Sequence, residues 1–97
     1  MPKGYWIASY HSVPDPGVVA KYAEAATPAL VAFGARFLAR GMPAVTYESG
    51  AAQRCVVIEF PSVEHAIGAY ESAAYQAALA IMRDSVKREV RIIPGVE

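Results

Sequence analysis

Strand and helix patterns that alternate in the order β-α-β-β-α-β predict an α+β domain of ferredoxin-like architecture, a four-stranded antiparallel sheet with the helices on one face. Three observations carry the prediction. Two apolar stripes at three- and four-residue spacing, over 17–33 and from Ser62 to Arg83, read as helices. Four short β-favouring runs, at 4–12, 35–40, 54–60 and 87–93, flank and separate them. Length sets the scale: 97 residues make a single domain, 1–97, of a size that folds alone with little to spare.

Tyr5, Trp6, Ile7, Ala8 and Tyr10 favour the first strand, and Pro14-Asp15-Pro16-Gly17 turns the chain. Asp15 suits a helix N-cap and Pro16 the first helical position, where its missing N–H costs nothing. Val18, Tyr22, Ala25, Ala29 and Phe33 form the stripe of the first helix, with Lys21 and Glu24 off it. Pro28 is expected to kink or split that helix, and Gly34 to end it. Over 35–40, Phe37 and Ala39 face one way and Arg36, Leu38 and Arg40 the other. That strand breaks near Gly41-Met42-Pro43 and is expected to resume at Val45-Thr46-Tyr47 before a loop over 48–53.

The run 54–60 is the clearest strand, and Pro61 stops it. Ser62 caps the next helix, with Glu64 in its first turn and Val63, Ala66, Ile67 and Tyr70 on its stripe. Ser72 starts a further helical segment that turns Tyr75, Ala78, Leu79 and Met82 inward. The last strand ends at Pro94-Gly95.

Composition narrows function by exclusion. Nine Lys+Arg balance nine Asp+Glu, so there is no basic excess of the kind that binds nucleic acid. A 55% hydrophobic content is too high for disorder. One cysteine makes no internal disulfide. Lys21, Glu24, Arg36 and Arg40 interrupt the best candidate for a membrane span, and Met1-Pro2-Lys3-Gly4 lacks the apolar run of a secretory signal. A cytoplasmic domain is the expectation. Strand 54–60 is apolar on both faces: Val56, Ile58 and Phe60 on one, Cys55 and Val57 on the other. Helices cover only one face, so a homodimer packed sheet against sheet is expected to cover the other, with a cavity beside the sheet.

Four segments carry a family resemblance: Tyr5-Trp6-Ile7-Ala8, 33–41 with its Gly-x-Arg-Phe-x-x-Arg-Gly pattern, 56–62 ending in Glu-Phe-Pro-Ser, and Tyr70-Glu71-Ser72 followed by Tyr75-Gln76. In this combination the chain resembles the family known as domain of unknown function 1330. That family often has Pro and Glu between the positions of Ser72 and Tyr75; Ala73 and Ala74 stand here, so this connection should be more helical. The resemblance implies a dimeric α+β barrel, in which two ferredoxin-like sheets share a barrel. It implies no reaction. The wider superfamily includes metal-free quinol-type monooxygenases and haem-dependent chlorite-degrading enzymes.

The candidate chemistry is sparse. Glu59 interrupts an apolar strand, and Arg36 and Arg40 are its expected partners on the neighbouring strand. The group reads as a pocket, in which an arginine holds a substrate carboxylate or enolate while Glu59 moves a proton, or as a salt bridge fixing register or the dimer contact. His11, at a strand end, is a second candidate base and the one plausible axial ligand for a haem. Tyr22 and Tyr70 are candidate substrate contacts, and Tyr75 shares their apolar setting. Trp6 and Phe37 read as core or dimer contact. Cys55 reads as a structural thiol. His11 and His65 have no metal-ligand spacing, no cofactor motif is present, and neither metal nor cofactor is expected. Arg83, Lys87, Arg88 and Arg91 read as a solvated basic edge. The leading expectation is a small-molecule site for an apolar or aromatic acid or enol; the alternative is a structural module with a filled barrel.

Overall fold

The computed structural model describes residues 2–96. Its elements are β1 (Gly4–Ser12), α1 (Pro16–Val31), β2 (Arg36–Gly41), β3 (Cys55–Phe60), α2 (Val63–Glu71), α3 (Ala73–Ala80) and β4 (Lys87–Pro94). The strands form one antiparallel sheet in the order β2-β3-β1-β4, the ferredoxin-like arrangement.

Local chemistry sets the helix ends. The Asp15 carboxylate accepts the Gly17 N–H at 2.9 Å, with Pro16 opening α1. Pro28 lies inside α1 without splitting it; the helix ends three residues later, so the missing donor falls in the last turn. Gly34 has φ 87°, and a Cβ there would stand 2.9 Å from the Pro61 ring, so the turn into β2 needs glycine on both counts. Ser62 Oγ accepts the His65 N–H at 3.1 Å and caps α2. Ser72 divides α2 from α3: its Oγ accepts the Tyr75 N–H at 3.2 Å and donates to the Ala69 carbonyl at 2.8 Å. Ala73 and Ala74 begin α3, which ends at Ala80, short of the expected Arg83.

Strand alternation sorts the sheet into two faces. Register places Phe37, Ile58, Trp6 and Ile92 in one row on the helix side, and Arg40, Val56, Ala8 and Val90 in the next. Tyr10 and Arg88 pair in a third row, where the Tyr10 N–H also donates to the Arg54 carbonyl at 2.9 Å. Trp6, Phe60, Tyr75 and Met82 are the largest wholly buried side chains of the core between sheet and helices. The Trp6 ring meets Tyr75 edge-on with centroids 5.2 Å apart and lies 5.9 Å from Phe60. The open face carries the rows Arg36-Glu59-Tyr5-Ile93 and Ala39-Val57-Ile7-Arg91.

Two departures matter for function. A register shift between Phe37 and Ala39 inserts Leu38 as an extra residue, after which Arg40 pairs with Val56. Arg36 and Arg40 therefore lie on opposite faces, not on the shared face that strict alternation predicts, because one extra residue reverses every side chain beyond it. Beyond Gly41 no strand resumes, and Val45-Thr46-Tyr47 belongs to an irregular, exposed segment reaching residue 54. Gly41, at φ 142°, and Pro43, without an N–H, carry the chain out of the sheet.

Candidate functional site

The third helix-side row ends in a half-buried cation. Arg88 sits opposite Tyr10 near the start of β4, and alternation turns it under α1 and α3. Its Nη1 donates to the Tyr22 hydroxyl at 3.2 Å and the Tyr10 hydroxyl at 3.5 Å; its Nη2 donates to the Tyr75 hydroxyl at 2.5 Å. The Tyr22 and Tyr75 hydroxyls are 2.6 Å apart. The guanidinium also lies 5.0 Å from the Tyr22 ring centre and 5.6 Å from that of Tyr10, within cation–π range. Among the described residues no carboxylate pairs with it.

Burial pushes the Tyr22 and Tyr75 phenols above the ordinary value, and Arg88 pulls them back only in part. Burial opposes the charge on Arg88, but the Tyr22 and Tyr75 oxygens outweigh it and hold the guanidinium above its ordinary value. At neutral pH the site is one cation among neutral phenols. Each phenol has a single O–H. Tyr22 and Tyr75 both accept from Arg88, and one of them donates to the other, which leaves the second with a hydroxyl hydrogen to offer. The cluster has surplus donors, surplus positive charge and no anion.

A groove of about 490 Å³ opens onto Arg88 between β4 and the α2–α3 pair. Ile67, Tyr70, Leu79, Met82, Val90 and Ile92 give it apolar walls, and the exposed Glu71 and Arg83 stand on its lining. Half-buried Tyr70 packs with Trp6 at 5.6 Å and Tyr75 at 5.2 Å between ring centres. A second cavity, of about 40 Å³, lies between α1 and the sheet; Arg88 lines it too, together with Arg40 and Arg54.

Of the residues proposed from sequence, Tyr22 and Tyr70 come to this region, and Arg40 lines the inner cavity with its guanidinium 5.1 Å above the Phe37 ring. Glu59 and Arg36 meet in register on the open face, away from the groove. A convergent Glu–Arg–Tyr pocket is therefore not assembled. Glu59 accepts the Tyr5 O–H at 3.0 Å and a Lys3 N–H at 3.3 Å. The Tyr5 hydrogen bond holds its carboxyl below the ordinary range against an opposing effect of burial, and Lys3 and Arg36 add to it. Tyr5 is raised in turn, by that hydrogen bond first and then by burial. His11 is exposed, its Nδ1 3.0 Å from Gln53 Oε1 and its Nε2 3.2 Å from Glu89 Oε1. Cys55 is half-buried with Sγ 4.0 Å from Ser9 Oγ, and His65 Nδ1 lies 2.6 Å from Ser62 Oγ. Among the described residues no three His, Cys, Asp or Glu side chains gather as a metal site would need.

Sequence reasoning passed over Arg88, which it assigned to a solvated edge, along with Tyr10 and Arg54. The available signal was the period-2 pattern of the last strand, in which Arg88 shares a face with Val90 and Ile92. An arginine that continues an apolar stripe is under the helices, not at the edge.

The fold recurs in solved structures. A protein of unknown function from Rhodopseudomonas palustris superposes with TM-score 0.74 at 13% identity, covering 99% of this chain and 84% of that one. A dimeric protein of unknown function and ferredoxin-like fold from Bacteroides fragilis gives 0.62 at 12% identity, with 95% of each chain covered. SnoaB, a cofactor-independent oxygenase from Streptomyces nogalater, gives 0.61 at 8% identity, covering 100% of this chain and 96% of that one. At such identities the likeness shows the fold alone. Among curated proteins none matches the sequence. The family model of a domain of unknown function, DUF1330, matches residues 3–96, and the chain belongs to that family.

Proposed function

We propose that the protein binds a small apolar or aromatic compound bearing an ionised acid or enol oxygen, in the groove between β4 and the α2–α3 pair. The observation that carries this is Arg88: a half-buried guanidinium on the groove lining, backed by neutral phenols, with no carboxylate partner among the described residues. An anionic oxygen is the partner such a cluster lacks. The groove walls supply the apolar contact, and its volume lies in the range of small-molecule sites. Arg88 holds the anion, the Tyr22 and Tyr75 hydroxyls behind it fix its guanidinium, and Tyr70 forms a wall. SnoaB shares the fold, so oxygenation of a bound enol is the reaction to assay first.

The binding unit in this reading is a homodimer. Ile7 and Val57 are adjacent and half-buried at the centre of the open face, with exposed Ala39 and Ile93 beyond them and charges of both signs around them. A second copy covers this patch, as the dimeric Bacteroides fragilis relative encourages. Among the described residues no helix is long and apolar enough to cross a membrane. The free Cys55 fits a reducing compartment, the cytoplasm.

Calorimetric titration with 2-naphthoate, against uncharged 2-naphthalenemethanol, tests the binding reading. The acid binds and the alcohol does not, and Arg88→Met weakens the acid by about tenfold or more. Tyr75→Phe keeps the ring and removes only the hydroxyl, so it serves if the arginine variant does not fold. Equal binding of acid and alcohol, or no binding of either, overturns the proposal and leaves a structural module.

A further inference from the structure

We propose that the inner cavity beneath α1 is a second binding site, taking a small planar oxyanion between Arg40, Arg54 and Arg88. The site goes beyond the groove reading: Arg40 and Arg54 line the cavity and not the groove. Sheet geometry brings the three together. Arg88 pairs with Tyr10, Arg54 offers its carbonyl to the same tyrosine, and Arg40 pairs with Val56 one row away. Arg40 joins them because of the bulge at Leu38; unbroken alternation would have left it on the open face.

Charge and size then define the occupant. None of the side chains lining the cavity is acidic; besides the arginines they are apolar groups, Tyr10, Tyr22 and Thr27. Arg54 lines the cavity, and its buried Nε has no hydrogen-bond partner among the described residues. Three like charges around one small space repel, and the partial desolvation of Arg54 and Arg88 adds to that cost, so an anion with several acceptor oxygens offsets both. The volume is about 40 Å³, above the roughly 10–15 Å³ that a cavity needs to admit a single water. That is room for a small group such as a carboxylate or nitrate and less suited to the larger tetrahedral phosphate. Arginine's planar fork matches the same planar geometry.

Thermal unfolding in sodium formate, nitrate, phosphate and chloride at matched ionic strength tests the site. Formate and nitrate raise the melting temperature in a saturable way over the chloride baseline, and phosphate does not. Arg54→Met weakens the formate effect by about tenfold or more. Arg40→Met, at an exposed side chain, gives the same loss and stands in if the Arg54 variant does not fold. Equal shifts in every salt mean that screening alone acts and overturn the site, as does an unchanged formate effect in both variants. Titration of 2-naphthoate with and without formate identifies the source. Competition makes the occupant the carboxylate end of a larger ligand, independence makes it a free anion, and either supports the site. Naphthoate binding that survives Arg54→Met while formate has no effect separates failure here from failure of the groove.

Discussion

Tyr22→Phe keeps the ring in place and removes the hydroxyl that Arg88 and Tyr75 both contact. Tyr22 is 6% exposed, so water does not replace the lost group well. The variant is expected to lose about 1.5–3 kcal/mol at pH 8, the range for a buried hydrogen bond to a charged partner. The deficit should then change with pH. Burial holds the folded phenol above the ordinary value of 10.0, with Arg88 opposing only in part, whereas the unfolded phenol ionises near that value. Above pH 10 the native state therefore binds more protons than the unfolded state. This contribution to stability is whole below pH 10 and drains away as pH rises, until the folded phenol itself ionises. Linkage gives a loss of about 2 kcal/mol from one such phenol by pH 11.5. Tyr75 and Tyr5 shift in the same direction but are present in both proteins and largely cancel in the comparison. The gap between wild type and variant should thus shrink to about 1 kcal/mol or less at pH 11.5. Urea unfolding followed by the emission of Trp6, the single tryptophan, measures it. A gap that stays constant from pH 8 to 11.5 would refute the reasoning, because Tyr22 would then ionise as an exposed phenol does.

Two further outcomes follow from the fold. Ser72→Ala removes the Oγ that caps α3 and is expected to cost about 0.5–2 kcal/mol in urea unfolding. No loss would mean that the 2.7 Å bond from Gln76 Nε2 to the Tyr70 carbonyl fixes the α2–α3 junction by itself. Val57→Glu places a carboxylate between Ile7 and Ala39 at the centre of the open face. Sedimentation should show wild-type dimers and variant monomers with unchanged circular dichroism; a variant that remains dimeric, or a monomeric wild type, removes the sheet-face dimer.

The layered fold was legible because burial period and element type agree along most of this chain. Strand 55–60 alternates without interruption, Asp15, Ser62 and Ser72 cap where their side chains predict, and Ala73 and Ala74 continue into a helix. Where reading failed, the cause was a single-residue event or a contact between distant elements. No residue type announces the Leu38 bulge, yet it moves Arg40 from beside Glu59 to the cavity under α1. Pro28 was weighed as a helix breaker by its identity, whereas its position in the last turn decides the outcome.

The site was half legible for a related reason. Tyr22 and Tyr75 were visible as aromatic residues on helix stripes, and each buried phenol required a polar partner. That partner lies 66 residues along the chain from Tyr22, on the last strand. Counting charges on β4 hides it, because Arg88 sits among Lys87, Glu89 and Arg91 and the local sum suggests a solvated edge. Alternation separates them: Glu89 and Arg91 pair with Ser9 and Ile7 on the open face, while Arg88 pairs with Tyr10 under the helices. One strand thus delivers a charge to each side of the sheet for different ends. On the open side the Glu89 carboxylate meets His11 and Arg91 in an exposed, screened cluster. On the helix side an arginine is held among phenols that stay neutral, with no carboxylate paired to it among the described residues. Glu59, the residue that drew attention in the sequence, is satisfied by Tyr5 and Lys3; Arg88, which did not, is a half-buried cation held by phenols, with no carboxylate paired to it among the described residues.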